Sequence, residues 1–154
     1  MPAYSSYFSL IFFVLIVMVV AAAGATFLPG AWYAQLHKPV WTPPNLVFPV
    51  IWSILYLMIA VVGWLIFSRA TRPLKVFWLI QLLLNGLWSW LFFGLHRTDL
   101  GLIDIITLWC CIAAMLCLAR VSEQVAVVWL MLPYLLWVFC AALLNGYIFL
   151  YNPI

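Results

Sequence analysis

Residues Val125–Tyr151 read VAVVWLMLPYLLWVFCAALLNGYIFLY, with no charged side chain anywhere in the run. A hydrocarbon core about 30 Å thick is crossed by about 20 apolar residues in a helix rising about 1.5 Å per residue. This stretch exceeds that length and cannot be placed in water. Working outward from it, residues 100–119, 76–95, 45–68 and 8–28 meet the same requirement, and Asp104 is the only charged residue within the five segments. The chain is therefore predicted to be an all-α integral membrane bundle of five transmembrane helices, one domain over residues 1–154, with a longer first loop at 29–44.

Composition excludes the alternatives. Soluble domains are about 45–50% apolar and about 25% charged, whereas this chain is 70% hydrophobic and 6% charged. The short connections leave no room for an extramembrane catalytic module. No Ser-His-Asp or Cys-His set, phosphate loop, paired carboxylates or metal-ligand spacing is present, so no metal site is expected. The net charge of +3 comes from six Lys/Arg at span ends and in loops, which carries topology and not nucleic-acid binding. Cys110, Cys111, Cys117 and Cys140 fall inside spans and are read as small apolar packing residues. The first segment resembles a signal peptide at Ala21-Ala22-Ala23-Gly24-Ala25. It lacks a basic n-region and is longer than the usual h-region, so it is read as a retained span. With five spans, Arg69, Arg72, Lys75 and Arg120 share a side with the N-terminus, against Lys38 and Arg97 opposite. The positive-inside rule then puts the N-terminus in the cytoplasm.

The first loop carries Trp32, Tyr33, Trp41 and the prolines Pro39, Pro43 and Pro44. Proline fixes φ and restricts the residue before it, so the loop should hold a shape. It is read as an aromatic belt at the headgroups, as a lid over the helix ends, or as both, with Trp32, Tyr33 and Trp41 at the mouth of whatever lies beneath. Thr42 is the expected N-cap of the second span.

Three spans carry stripes of aromatic and polar residues. At about 100° per residue, Gln81, Asn85, Trp88 and Phe92 share a face, as do Trp52, Tyr56, Ile59 and Gly63, and again Tyr134, Trp137, Ala141 and Asn145. Amides are costly against lipid and seek partners, so these faces point inward. Each polar residue is read either as interhelical glue or as part of a cavity that grips a large flat apolar ligand. Asp104 lies near a span end, where it is expected to reach water, His96 or Arg97 in preference to relaying protons. His37 and His96 are loop residues, and Pro133 should bend or loosen the last helix.

At the level of motifs, WYAQLHKPVWTPPNLVFPVIWSILY, QLLLNGLWSWLFFG and PYLLWVFCAALLN resemble the tryptophan-rich sensory protein family, bacterial relatives of the mitochondrial translocator protein (TspO/MBR). The likeness spans essentially the whole chain. It implies a five-helix bundle, commonly a homodimer, in a bacterial cell membrane, with a pocket beneath the first loop for porphyrins and synthetic isoquinoline or benzodiazepine ligands. Matched residue by residue, the implied ligand-binding positions are Tyr33, Trp52, Tyr56, Asn85, Trp88, Phe92, Trp137 and Ala141. The implied function is a membrane receptor or regulator for tetrapyrroles (porphyrin or haem as ligand, no obligatory cofactor), with transport as one version. The alternative is an enzyme of light- and oxygen-dependent porphyrin breakdown, in which Trp52 and Trp137 would be the catalytic pair. A multidrug-type carrier would want a carboxylate at mid-depth, and Asp104 is too near an end. Tyr147 and Tyr151 are followed by no Lys or Arg in this sequence, which weighs against the cholesterol motif of animal relatives. The dimer is expected through the face bearing Gly86, Trp90 and Gly94.

Overall fold

The computed structural model describes residues 3–69 and 71–152, except for the side chains of residues 3–6 and of Arg69, whose charge entered the topology count. Six α-helices and no strands are found among the described residues: α1 Ala3–Ala25, α2 Ala31–Gln35, α3 Val47–Arg69, α4 Arg72–Ser89, α5 Thr98–Val121 and α6 Val125–Tyr151. All but α2 are long and apolar enough to span a membrane. Helices apolar on every side have no amphipathic solution in water and belong in lipid. The protein is a multi-pass integral membrane protein embedded in the bilayer.

Round the bundle the neighbours run α1, α3, α6, α5, α4 and back to α1. The end carrying α2 is the lid end. Toward the opposite end the interior is solid: the Phe13 and Phe67 rings lie 5.1 Å apart, and Phe13 meets Trp78 edge-on at 5.5 Å. Trp78 is fully buried and its Nε1 donates to the Ile59 carbonyl at 3.0 Å. It fits because Gly63 faces it: a Cβ there would stand 2.5 Å from the indole. That close approach explains the glycine in the second stripe.

Element ends differ from the sequence reading in several places. The first span stops at Ala25 and not at residue 28, because Thr26 turns the chain with its Oγ1 on the Ala23 carbonyl at 2.7 Å. Thr42 does not cap α3, which begins at Val47; its hydroxyl closes a turn onto the Pro39 carbonyl at 2.7 Å. α4 starts earlier than expected, at Arg72 with proline in its first turn, and ends in a π-helical turn, Trp90–Gly94. There the Leu95 N–H reaches back to the Trp90 carbonyl at 2.8 Å. Such turns insert one residue and are frequent at functional sites. α6 runs through Pro133 without a break.

The glycine face expected to form a dimer is already occupied within the chain. A Cβ on Gly86 would meet Val20 at 3.0 Å, and one on Gly94 would meet Phe27 at 2.9 Å. Both glycines exist to let α1 and the segment after it lie close to α4. Cys110, Cys117 and Cys140 face outward instead of packing inside; Cys111 alone is buried.

Candidate functional site

Between the filled end and α2 the helices part around a cavity of about 710 Å³. Tyr33, Trp52, Tyr56, Asn85, Trp88, Phe92, Trp137 and Ala141 all line it. Regular helices bring them together: Trp52 and Tyr56 are one turn apart on α3, Asn85 and Trp88 on α4, Trp137 and Ala141 on α6.

Two hydrogen-bond chains fix the walls. The Tyr56 hydroxyl donates to Asn85 Oδ1 at 3.0 Å, and Asn85 Nδ2 donates to the Tyr134 hydroxyl at 2.9 Å. Asn85 thus ties α3, α4 and α6 together, with both ends of its amide engaged while its side chain borders the cavity. Trp88 Nε1 donates to Asn145 Oδ1 at 3.1 Å, and Asn145 Nδ2 donates to the Thr98 carbonyl at 2.9 Å. This second chain locks the Trp88 indole by joining α4, α5 and α6. Room for it comes from Gly101, where a Cβ would meet Asn145 Oδ1 and Phe92 at 3.1 Å.

The rings are arranged as faces and edges. Trp88 stacks on Phe92 at 4.9 Å and 16°, and Trp52 stacks on Tyr56 at 5.3 Å and 30°. Trp137 stands edge-on to Phe48 at 5.7 Å; its Nε1 is buried without a hydrogen-bond partner, so packing alone holds it.

α2 closes one end. Tyr33 is buried, with its ring at 5.4 Å from Phe93 and 6.3 Å from Phe92. Burial raises the pKa of its hydroxyl above the usual value for tyrosine. Lys38 finishes the short helix: Nζ donates to the carbonyls of Tyr33, Leu36 and Ala34 at 2.6, 3.0 and 3.3 Å. Asn152 anchors the far side of the loop, exchanging hydrogen bonds of 2.7 and 3.0 Å with the His37 backbone. Of the three loop aromatics expected at the mouth, only Tyr33 lines the cavity. Trp32 stacks on His96 at 4.3 Å, and Trp41 is exposed.

Other expectations for single residues also change. Gln81 is fully buried but does not line the cavity; its Nε2 donates to the Trp78 carbonyl of its own helix at 3.0 Å. Asp104 reaches neither His96 nor Arg97 and is buried with Oδ2 unpartnered. Arg97 instead forms a two-pronged pair with Asp99, at 2.6 and 2.8 Å, and His96 is taken by Trp32.

The wall that sequence reasoning missed is α1. Val17, Ala21 and Gly24 line the cavity, and it opens on the side between α1 and α3. At that opening Met18 and Leu57 line the cavity and are more than half exposed. They lie along the lipid-facing stripes of their helices, with Phe12, Leu15 and Val19 on one and Val50 and Ile54 on the other. The opening continues to the end carrying α2, where Leu28, Pro29 and Asn45 also line the cavity and are exposed.

A five-helix membrane bundle around an aromatic cavity, with a short helix across one end, defines the class of protein. The TspO/MBR family model matches residues 12–151, and the chain belongs to that family. It is 40% identical to the tryptophan-rich protein TspO of Chlorobaculum tepidum, over 88% of this chain and 90% of that protein. It is 39% identical to the protein CrtK of Rhodobacter capsulatus, over 86% and 85% of the two chains. With the translocator protein of Ovis aries it shares 36% identity over 74% of this chain and 70% of the other.

Proposed function

We propose that this protein is a membrane receptor for flat apolar tetrapyrroles, porphyrin or haem, held in the cavity between α1, α3, α4 and α6. The observation that carries the reading is the convergence of Trp52, Trp88, Phe92 and Trp137 on one cavity of about 710 Å³. Ligand cavities of about 300–1,000 Å³ lined by aromatic rings, with few polar groups, suit drug-sized flat molecules. The names of the relatives, a sensory protein and a translocator, support receptor or transport roles in a membrane. The proposal includes a bacterial cell membrane, a cytoplasmic N-terminus and a homodimer on a surface other than Gly86 and Gly94.

The test is a titration of purified protein with protoporphyrin IX, following tryptophan emission, for wild type and for Trp52→Phe/Trp137→Phe. Stacking contributes about 0.5–1.5 kcal/mol per ring pair beyond area burial. The double variant should therefore lose about tenfold or more in affinity. Absence of saturable quenching at micromolar porphyrin would refute the reading.

Light-driven porphyrin oxidation is the second reading. It is favoured by the stacking of Trp52 on Tyr56, whose hydroxyl continues through Asn85 to Tyr134. Illuminating the complex in air decides between the two. Loss of the porphyrin spectrum in wild type but not in the double variant, at matched occupancy, makes the protein an enzyme.

A further inference from the structure

The polar groups that line the cavity fall into two sets. Between the helices they are engaged: the Tyr56 hydroxyl donates to Asn85 at 3.0 Å, and Trp88 Nε1 to Asn145 at 3.1 Å. The lining residues farthest from α2, Val14, Ala60, Leu108 and Val138, are apolar. Toward α2, by contrast, the Tyr33 hydroxyl, the Ser89 hydroxyl and the Asn45 amide border the cavity without a hydrogen-bond partner among the described residues.

Each of the three is left free by its own surroundings. Ser53, Ser68 and Thr107 return their hydroxyls to the carbonyl one turn back, each at 2.7 Å, but Ser89, the last residue of α4, does not. Gly24 of α1 leaves its Oγ room, since a Cβ there would stand 3.3 Å away. Tyr33 packs on Phe92 and Phe93, one turn beyond Ser89, and its unpartnered hydroxyl is not sealed off. Burial raises its pKa, so it keeps its proton and remains a donor. Lys38 Nζ, 4.7 Å from the centre of the Tyr33 ring, holds positive charge at this end. Asn85, Asn145 and Asn152 use their amides within the chain, whereas Asn45 stands exposed at the mouth. All three free groups are donors, and a carboxylate is an acceptor only, which makes such hydrogen bonds charge-assisted and strong. At the exposed mouth its remaining lone pairs reach water, so little of the cost of burying an anion is incurred.

We infer that Tyr33, Asn45 and Ser89 form an acid-binding end of the cavity, so that a tetrapyrrole lies with its carboxylate edge beneath α2 and its alkyl edge toward Leu108 and Val138. The inference rests on the tetrapyrrole reading above and adds the orientation of the ligand. Protoporphyrin IX has the matching build, with both propionates on adjacent pyrroles along one edge of a ring otherwise fringed by methyl and vinyl groups.

The experiment compares protoporphyrin IX with etioporphyrin, the same ring fringed by alkyl groups alone. Both are titrated into protein held in vesicles of neutral phosphatidylcholine, with quenching corrected for partition into empty vesicles. Tyr33→Phe/Ser89→Ala removes both hydroxyl donors and keeps the aromatic ring. It should weaken protoporphyrin IX about tenfold or more and leave etioporphyrin within about twofold. Retained etioporphyrin binding also shows that the variant folds. A second arm changes the charge at Asn45, which is exposed and lines the cavity. Asn45→Asp should weaken protoporphyrin IX about fivefold and Asn45→Lys strengthen it by about as much, with etioporphyrin unmoved. Equal changes for the two porphyrins, or none for either, overturn the inference and leave the tetrapyrrole reading standing. No saturable binding of either porphyrin to the wild type sinks both.

Discussion

Asn85→Ala separates the two jobs its amide could do. In the structure both polar ends are engaged by tyrosine hydroxyls, at 3.0 Å from Tyr56 and 2.9 Å to Tyr134. Interhelical hydrogen bonds in membranes are worth about 0.6 kcal/mol each on average, so losing two costs about 1 kcal/mol. Tyr134 is fully buried, and its hydroxyl would lose the Asn85 donor with no water to replace it, which adds about 1–3 kcal/mol. The expected destabilisation is about 2–4 kcal/mol, read as an earlier midpoint in an SDS unfolding titration followed by tryptophan emission. Tyr134→Phe supplies a sharper sign. In the wild type it removes a hydrogen-bonded hydroxyl and destabilises, whereas in the Asn85→Ala background it removes an orphan and stabilises. That reversal is a coupling between neighbours that a double-mutant cycle isolates. If Asn85→Ala keeps wild-type stability while its folded fraction no longer binds porphyrin, the amide serves the ligand and the energetics above are wrong.

Two other substitutions have definite signs. Glu123 has φ 55° at the end of α5, where the Gln124 N–H reaches the Ala119 carbonyl at 2.8 Å and the Glu123 N–H the Arg120 carbonyl at 3.2 Å. This is a helix-ending motif that favours glycine. Glu123→Gly should therefore stabilise by about 1 kcal/mol in the same SDS titration, and a loss of stability would mean that the carboxylate has a partner outweighing the backbone strain. Lys38→Met uncaps α2, and a local loss of about 1 kcal/mol should raise chymotryptic cleavage at Trp32–Leu36 about fivefold, with bound porphyrin restoring protection. An unchanged cleavage rate would show that Tyr33 packing alone holds the lid.

How far the sequence revealed this arrangement depended on which physical property each element used. The spans were readable because lipid demands apolar length and almost nothing else, and their number followed directly. The inward faces of α3, α4 and α6 were readable because Trp, Asn and Tyr recur at helical spacing, and such residues are costly to leave against lipid. Of these, Trp52, Tyr56, Asn85, Trp88, Trp137 and Asn145 line the cavity, whereas Tyr134 is fully buried and accepts from Asn85. Two polar residues broke the pattern for a local reason. Gln81 shares the periodicity of Asn85 and Trp88, yet it bonds within its own helix below the cavity floor. Asp104 was assigned to the interface by depth alone, whereas its azimuth on α5 turns it into the bundle. Depth can be counted along a sequence, but azimuth relative to neighbours depends on how the helices pack.

The contribution of α1 shows the limit most clearly, because it consists of missing bulk. Ala21, Gly24 and Ala25 line the cavity, and a Cβ on Gly24 would meet Ser89 Oγ at 3.3 Å. No polar residue or tryptophan marks that wall, and the run of small residues looks in sequence like a signal-peptide cleavage region. Its effect appears only when α1 is set antiparallel to α3. Toward the filled end Phe13 closes the gap against Phe67 and Trp78, while toward the lid end the small residues leave it open beside Ser53 and Leu57. One helix thus seals the bundle with aromatic bulk and opens it with alanine within its own length. Large aromatics in place of Ala21 and Ala25 would extend the seal upward. The cavity's aromatic walls would remain, but the slot that gives them access to hydrocarbon would be gone.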